Sequence, residues 1–251
     1  MKLVCISDTH NKHRALDGEL LDGDLLIHAG DLTSLGRHHE TEDAINWLVK
    51  HSKRFTHGVV FIAGNHDKGF DPKYGETKYF EENGDIQTYQ QKPEWLIQIL
   101  SDLKSGNTGV HYLENSNVIV EGVTIWGSPY SPWFHGERWA FNKHRGKEIR
   151  DVWRSMPAST DIVVTHTPVQ YKLDYVPTSN EYVGCYDLDI ILGTVKPFLH
   201  ICGHIHEGYG KDQNIQTTFI NASICDEFYN PTNRPWVVEI IDKEIKSINN
   251  G

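Results

Sequence analysis

The amino-acid sequence predicts a layered α/β fold on three observations. Apolar runs of strand length recur along the chain, helical spacing fills the stretches between them, and no repeat, low-complexity tract or linker divides it. A single domain over 1–251 is the expectation for a chain of this length.

The strand runs are Lys2–Ser7, Asp24–Gly30, Val59–Gly64, Val123–Ser128, Asp161–His166 and Leu199–Gly203, with Phe219–Ser223 and Trp236–Ile241 closing the chain. Unbroken Val, Ile and Leu at this length suit strands covered on both faces. Ala44, Trp47, Leu48 and His51 fall at helical spacing behind Thr41 as N-cap. Trp95, Ile99, Leu100 and Leu103 repeat the pattern after Pro93. Ile149, Val152 and Trp153 mark a third helix, and Leu188 to Val195 a fourth. The stretch Lys68–Lys92 is polar, aromatic-rich and aperiodic, which predicts a long surface excursion of the kind that often carries function.

Hydrophobic residues make up 38% and charged residues 23%, enough for a packed core and against wholesale disorder. A formal net charge of −10 argues against an extended nucleic acid as partner, since a sequence-blind grip on a duplex needs many Lys and Arg contacts. It leaves room for a small phosphate ligand, because bound metals add positive charge that the count omits. Cys5, Cys185, Cys202 and Cys225 lack paired spacing and are read as small core hydrophobes. No signal-peptide pattern or membrane-length run occurs, so the expected setting is the reducing cytoplasm, with no membrane partner. Fifteen histidines are an excess that calls for a search for ligands.

Five short motifs stand at strand ends: Asp8-Thr9-His10, Gly30-Asp31, Gly64-Asn65-His66-Asp67, His166, and Gly203-His204-Ile205-His206. In open α/β sheets the functional crevice lies beyond the carboxyl ends of the strands, so motifs far apart in sequence can converge there. Asp, His and Asn offer hard oxygen and borderline nitrogen donors suited to manganese, zinc or ferrous and ferric iron. Strand alternation would point Asp8 and His10 the same way, and likewise His204 and His206. With Asp31 between two ions, the carboxylates leave a surplus of positive charge that attracts a phosphate and lowers the pKa of a bridging water. Average usage would produce Gly-Asn-His-Asp only a few times in about a million positions, so this motif weighs most.

In this order the motifs resemble those of the calcineurin-like metallophosphoesterase superfamily, over residues 8 to 206. The resemblance implies a four-layer αββα sandwich of two mixed sheets flanked by helices, with a dinuclear metal site. It assigns Asp8, His10, Asp31 and His206 to one ion, and Asp31, Asn65, His166 and His204 to the other. It places His66 over the substrate phosphate, where it and Asn65 would bind substrate. Ser128-Pro129-Tyr130-Ser131-Pro132-Trp133-Phe134, Gly203 to Gly210 and Asn221-Ala222-Ser223 are similar to a subfamily of metallophosphoesterase-domain proteins expressed in vertebrate brain. Ser/Thr protein phosphatases of the superfamily extend Gly-Asp to Gly-Asp-x-x-Asp-Arg-Gly. Gly30-Asp31-Leu32-Thr33-Ser34-Leu35-Gly36 departs from that and is more like the class III cyclic nucleotide phosphodiesterase branch.

Among the remaining candidates, Asp67 is assigned with His66 to catalysis, either orienting that ring or bracing its loop. His28 and His200, inside apolar runs, are core or supporting residues, whereas His13, His38, His39, His51 and His57 have polar neighbours and should be solvated. Trp133, Phe134, Trp139 and Phe141 form either the aromatic core of a loop or a wall that stacks a nucleobase, with Arg138 or Arg145 near a phosphate. The expectation is a dinuclear-metal hydrolase acting on cyclic or other small nucleotides as a phosphodiesterase. The alternatives are a phosphomonoesterase and a binding scaffold that has lost the chemistry.

Overall fold

The computed structural model describes residues 1–71, 94–105, 108–134, 136 and 138–250, with the backbone alone of 78–80 and 86–88. Its main strands are β1 (Lys2–Ile6), β2 (Leu25–Ala29), β3 (Val59–Ile62), β4 (Val110–Tyr112), β5 (Ser116–Val120) and β6 (Val123–Ser128). They continue as β7 (Ile162–Thr165), β8 (Leu199–Cys202), β9 (Gly210–Gln213), β10 (Thr218–Asn221), β11 (Trp236–Ile241) and β12 (Glu244–Asn249). The helices are α1 (His38–Ser52), α2 (Glu94–Lys104), α3 (Lys147–Trp153) and α4 (Tyr186–Val195).

The strands form two six-stranded mixed sheets, ordered β12-β11-β1-β2-β3-β4 and β9-β10-β8-β7-β6-β5. In each, the central pairings are parallel, and antiparallel strands close the edges at β11–β12, β9 and β5. Strand alternation sorts the core into three layers. Leu3, Cys5, Ile27, Val60, Ile125, Ile162, Val164 and Ile201 meet between the sheets. Val4, Ile6 and Phe61 face the other way, onto Trp47 and Leu48 of α1 and Leu96 and Leu100 of α2. Trp126, Val163 and Phe219 face Ile149 and Trp153 of α3 and Leu188 and Leu192 of α4. Helix, sheet, sheet, helix is the predicted four-layer sandwich. All four cysteines are buried free thiols.

Two readings need correction. Helix α1 begins at His38, ahead of Thr41, because the Glu40 carboxylate accepts the Leu35 and Arg37 backbone N–H groups and closes the first turn. His13 and His51 are buried, since α1 packs onto the short helical turn His13–Leu16. There Trp47 lies between the two rings, with centroids at 5.3 and 4.4 Å, and the imidazoles reach Asp43 and Asp17 at 3.1 Å each. Most of the Lys68–Lys92 excursion lies outside the described residues. Within them it shows a turn at Lys68–Phe70, a buried Asp71, and an antiparallel pairing of Lys78–Phe80 with Ile86–Thr88.

Both sheets deliver the carboxyl ends of their parallel strands to one seam. Asp8 N–H donates to the Gly30 carbonyl (2.9 Å), Gly203 N–H to that of His166 (3.1 Å), and Ser7 bridges to Ser223 between the sheets. The five motifs therefore meet.

Candidate metal centre

Backbone conformation, more than strand alternation, aims the ligands. Asp8 (φ 51°), His10 (φ 42°), Asp31 (φ 55°) and His204 (φ 70°) all sit in the left-handed region, which is costly for residues with a side chain and concentrates at functional sites. His206 lies in a short helical turn beyond β8, so neither Asp8/His10 nor His204/His206 is an extended pair. Two glycines let the loops close around these residues. A Cβ on Gly64 would strike the Asp31 carboxylate and backbone nitrogen, and one on Gly203 would strike Asp8 and Ser7.

Three of the imidazoles are tethered in one way. Nδ1 of His10 lies 3.2 Å from the Thr33 carbonyl, that of His166 3.0 Å from Ala29, and that of His206 2.7 Å from Asp226. A carbonyl only accepts, so each Nδ1 carries the proton and each Nε2 presents a lone pair to the site. Those lone pairs face other acceptors. His10 Nε2 is 3.3 Å from His206 Nε2, and His206 Nε2 is 3.5 Å from Asp8 Oδ1. His166 Nε2 is 2.9 Å from Asn65 Oδ1 and 3.3 Å from Asp31 Oδ2. Asp31 Oδ2 is also 3.8 Å from His10 Nε2. Donor atoms of Asp8, His10 and His206 form one group, those of Asp31, His166 and His204 a second, each within 4.8 Å. Lone pairs and carboxylate oxygens facing one another in a buried site need positive charge between them, as protons or as metal ions, and this donor set fits two metal ions.

The electrostatics agree. Burial raises Asp8 and Asp31, but His206 beside the first and His166 beside the second outweigh it and hold both below the usual carboxylate range. Burial lowers His166, which Asp31 nevertheless holds up at about 9; burial also lowers His206, which Asp8 holds at about 9. His10 and His204 are left neutral by burial, at about 4 and about 3. The carboxylate pair thus draws positive charge from whatever is available, protons on two imidazoles or bound ions.

Residues 1–208 match the Calcineurin-like phosphoesterase family. The chain belongs to it. Metallophosphoesterase domain-containing protein 1 of Homo sapiens is 38% identical over 246 residues, covering 95% of this chain and 71% of that one. A UPF0046 protein of Caenorhabditis elegans is 34% identical over 249 residues, covering 98% and 77%. TT1561 of Thermus thermophilus shares the fold, at TM-score 0.61 and 11% identity over 99% of this chain and 98% of that one. Membership in the calcineurin-like phosphoesterases implies a metal-dependent phosphoester hydrolase, and the histidine–aspartate clusters suit a dinuclear site. Among the described residues no helix is long and apolar enough to cross a membrane.

Behind the candidate ligands of this phosphoesterase stands a polar shell. Ser223 Oγ donates to Asp8 Oδ2 (2.8 Å), and the Asn221 amide donates to the Ile205 carbonyl (2.7 Å), so the Asn-Ala-Ser motif holds both Asp8 and the Gly-His-Ile-His loop. Asp67 is turned away from the reacting side. Its carboxylate accepts from Gly64 N–H (2.8 Å), Leu32 N–H (3.1 Å), Thr33 N–H (2.8 Å) and the Thr33 hydroxyl (2.7 Å). It braces the loop and is not placed for catalysis; burial and the nearby Asp31 push it up to about 7. His28 and His200 are buried, neutral at about 3, and bonded to Thr9 (3.0 Å) and Thr165 (2.8 Å), the residues that precede His10 and His166.

The rim is aromatic. Ala140 N–H donates to the Asn65 carbonyl (3.1 Å) and Phe141 N–H to Asp71 (2.7 Å), which sets the Trp139 ring 4.3 Å from that of His66. Phe134 lies 5.0 Å from His204 and 6.3 Å from Trp139, nearly parallel to it, while Lys68 Nζ is 4.9 Å from the Trp139 ring. Phe141 is fully buried and belongs to the core. Trp133 instead stacks on His144 at 5.6 Å, and Arg145 gives its guanidinium to the Val183 and Gly184 carbonyls, so neither joins this wall. Arg138 is exposed beside Lys68, whose ammonium is disfavoured first by burial and then by this like charge. Tyr229, absent from the sequence reading, lies with its ring 4.8 Å from His10, 5.1 Å from His206 and 6.1 Å from His66. It falls in Asp226–Asn230, a stretch without apolar period or motif, and no local signal marks it.

Proposed function

We propose that this chain hydrolyses phosphodiesters of small nucleotides. Asp8, His10, Asp31 and His206 would hold one metal ion, and Asp31, Asn65, His166 and His204 the other. Such ions supply Lewis-acid neutralisation of the phosphate and a water acidic enough to attack it near neutral pH. The buried Asp8 and Asp31, tied to His204 N–H at 3.0 Å and His66 N–H at 2.8 Å, fix the donor set before substrate arrives.

The observation that carries the diester reading is the pairing of His66 with Trp139. Nδ1–H of His66 donates a hydrogen bond to the Ser34 carbonyl (2.6 Å), so Nε2 faces the site, 4.0 Å from Asp31 Oδ2. A second proton there can be donated to a phosphoryl or leaving oxygen, which matters most when the leaving group is a ribose or alkyl oxygen. The Trp139 ring beside it offers a stacking surface for the base of such a leaving group. A proton donor and an aromatic face side by side suit a nucleoside ester better than a bare monoester.

The test is turnover of methyl p-nitrophenyl phosphate, a compact diester, against p-nitrophenyl phosphate after manganese loading, followed by a leaving-group series. Diester preference is expected. His66→Ala should keep its metal and lose about two to four orders of magnitude on basic leaving groups, with little loss on p-nitrophenol. Monoester preference would move the reading to a phosphatase, and no turnover by the metal-loaded chain would leave a binding scaffold.

A further inference from the structure

The turn that carries Tyr229 is built with unusual care for a surface loop. Asp226 N–H donates to the Asn230 carbonyl (2.8 Å) and Tyr229 N–H to the Asp226 carbonyl (2.9 Å). The Asp226 carboxylate accepts the Phe228 and Asn230 N–H groups at 3.0 and 2.8 Å, and Lys12 Nζ donates to the Tyr229 carbonyl. Cys225 bridges to Pro231 across the base of the turn. Within this frame Tyr229 adopts φ 62°, a conformation that an aromatic residue rarely adopts and that persists only where surrounding contacts impose it.

The outcome of that strain is a ring set edge-on to the imidazoles of His10 and His206 (interplanar 68° and 73°) while 43% of the residue faces solvent. The same turn supplies the Asp226 carbonyl that orients His206. One short segment therefore fixes a ligand and places a bulky group at the mouth beside it. Trp139 and Tyr229 both border His66, at 4.3 and 6.1 Å, so aromatic rings stand on two sides of that imidazole.

We infer that Tyr229 is a specificity-determining residue: its ring narrows the His10–His206 side of the site and limits the enzyme to phosphate esters whose second substituent is slender. The favoured class is a cyclic or otherwise compact diester, and bulky bis-aryl or polymeric diesters are excluded. The inference rests on the diester reading for its substrate, but the narrowing itself can be measured by binding.

Metal-loaded wild type, Tyr229→Ala and Tyr229→Phe would be compared by calorimetry for inorganic phosphate and for diphenyl phosphate, with turnover of methyl p-nitrophenyl phosphate and bis-p-nitrophenyl phosphate in parallel. The alanine variant should keep its metal content and its phosphate affinity, and gain about tenfold for the bulky ligand relative to the small one. The phenylalanine variant should match wild type. An unchanged or reversed ratio in Tyr229→Ala, or loss of metal there with the ratio retained in the metal-bound fraction, would overturn the inference; a reversed ratio would make the ring a stacking surface instead. If binding shifts as expected and no chain turns over a diester, the diester reading fails while the narrowing role stands.

Discussion

At the floor of the site His10, His166 and His206 are each tied through Nδ1 to a backbone carbonyl at 2.7–3.2 Å, and the Asp8 carboxylate is tied to a hydroxyl and a backbone N–H. At the rim, Trp139 meets His66, Phe134 meets His204, and Tyr229 meets His10 and His206, through ring contacts at 4.3–5.1 Å. Hydrogen bonds to backbone fix direction as well as distance, whereas ring contacts fix distance and tolerate tilt. The floor is therefore suited to hold ions in one geometry, and in the proposed reading the rim would choose among substrates. Substitutions at the two should fail differently.

The largest expected effect is at the floor. Asp31→Ala removes the carboxylate that both donor groups approach, and elemental analysis should find well under one metal per chain with activity at background. Two retained metals would mean that the groups do not share Asp31. A step behind the floor, Ser223→Ala removes the donor to Asp8 Oδ2 and should weaken metal affinity about ten- to a hundredfold, read by titrating the apo chain with manganese. Affinity within twofold of wild type would reduce Ser223 to packing. The smallest effects belong to the rim. Trp139→Ala should raise KM for nucleotides by several-fold to about a hundredfold, the worth of one stacked base, while sparing a small chromogenic diester. Trp133→Ala, stacked on His144 away from the wall, should change neither; parity between the two variants would erase the distinction between wall and loop.

The same contrast explains what the sequence could disclose. Asp8, His10, Asp31, Asn65, His166, His204 and His206 were legible because a parallel strand dictates where its end lies, and short motifs travel with it. The sheet layers were legible from alternation and from apolar runs. The carbonyls of Thr33, Ala29 and Asp226 carry no side-chain signal, although they orient the rings of His10, His166 and His206. Tyr229 and the fate of Trp133 depend on how turns remote from the strands come to rest, which no period encodes. His13 and His51 were misjudged for a related reason: polar neighbours in sequence say nothing about Trp47, which closes over both only when α1 docks.

The placement of the donors across a seam has a thermodynamic side. Asp8, His10, Asp31 and Asn65 extend from strands of one sheet, His166, His204 and His206 from the other. An unfolded chain cannot assemble that set, so ions captured there count toward folding, by about 2.7 kcal/mol at a hundred times the dissociation constant. Ions bound there would act as fasteners between the halves of the sandwich. Heat resistance of this protein should follow the free metal concentration around it, and starvation for metal should lower the amount of folded enzyme as well as its rate.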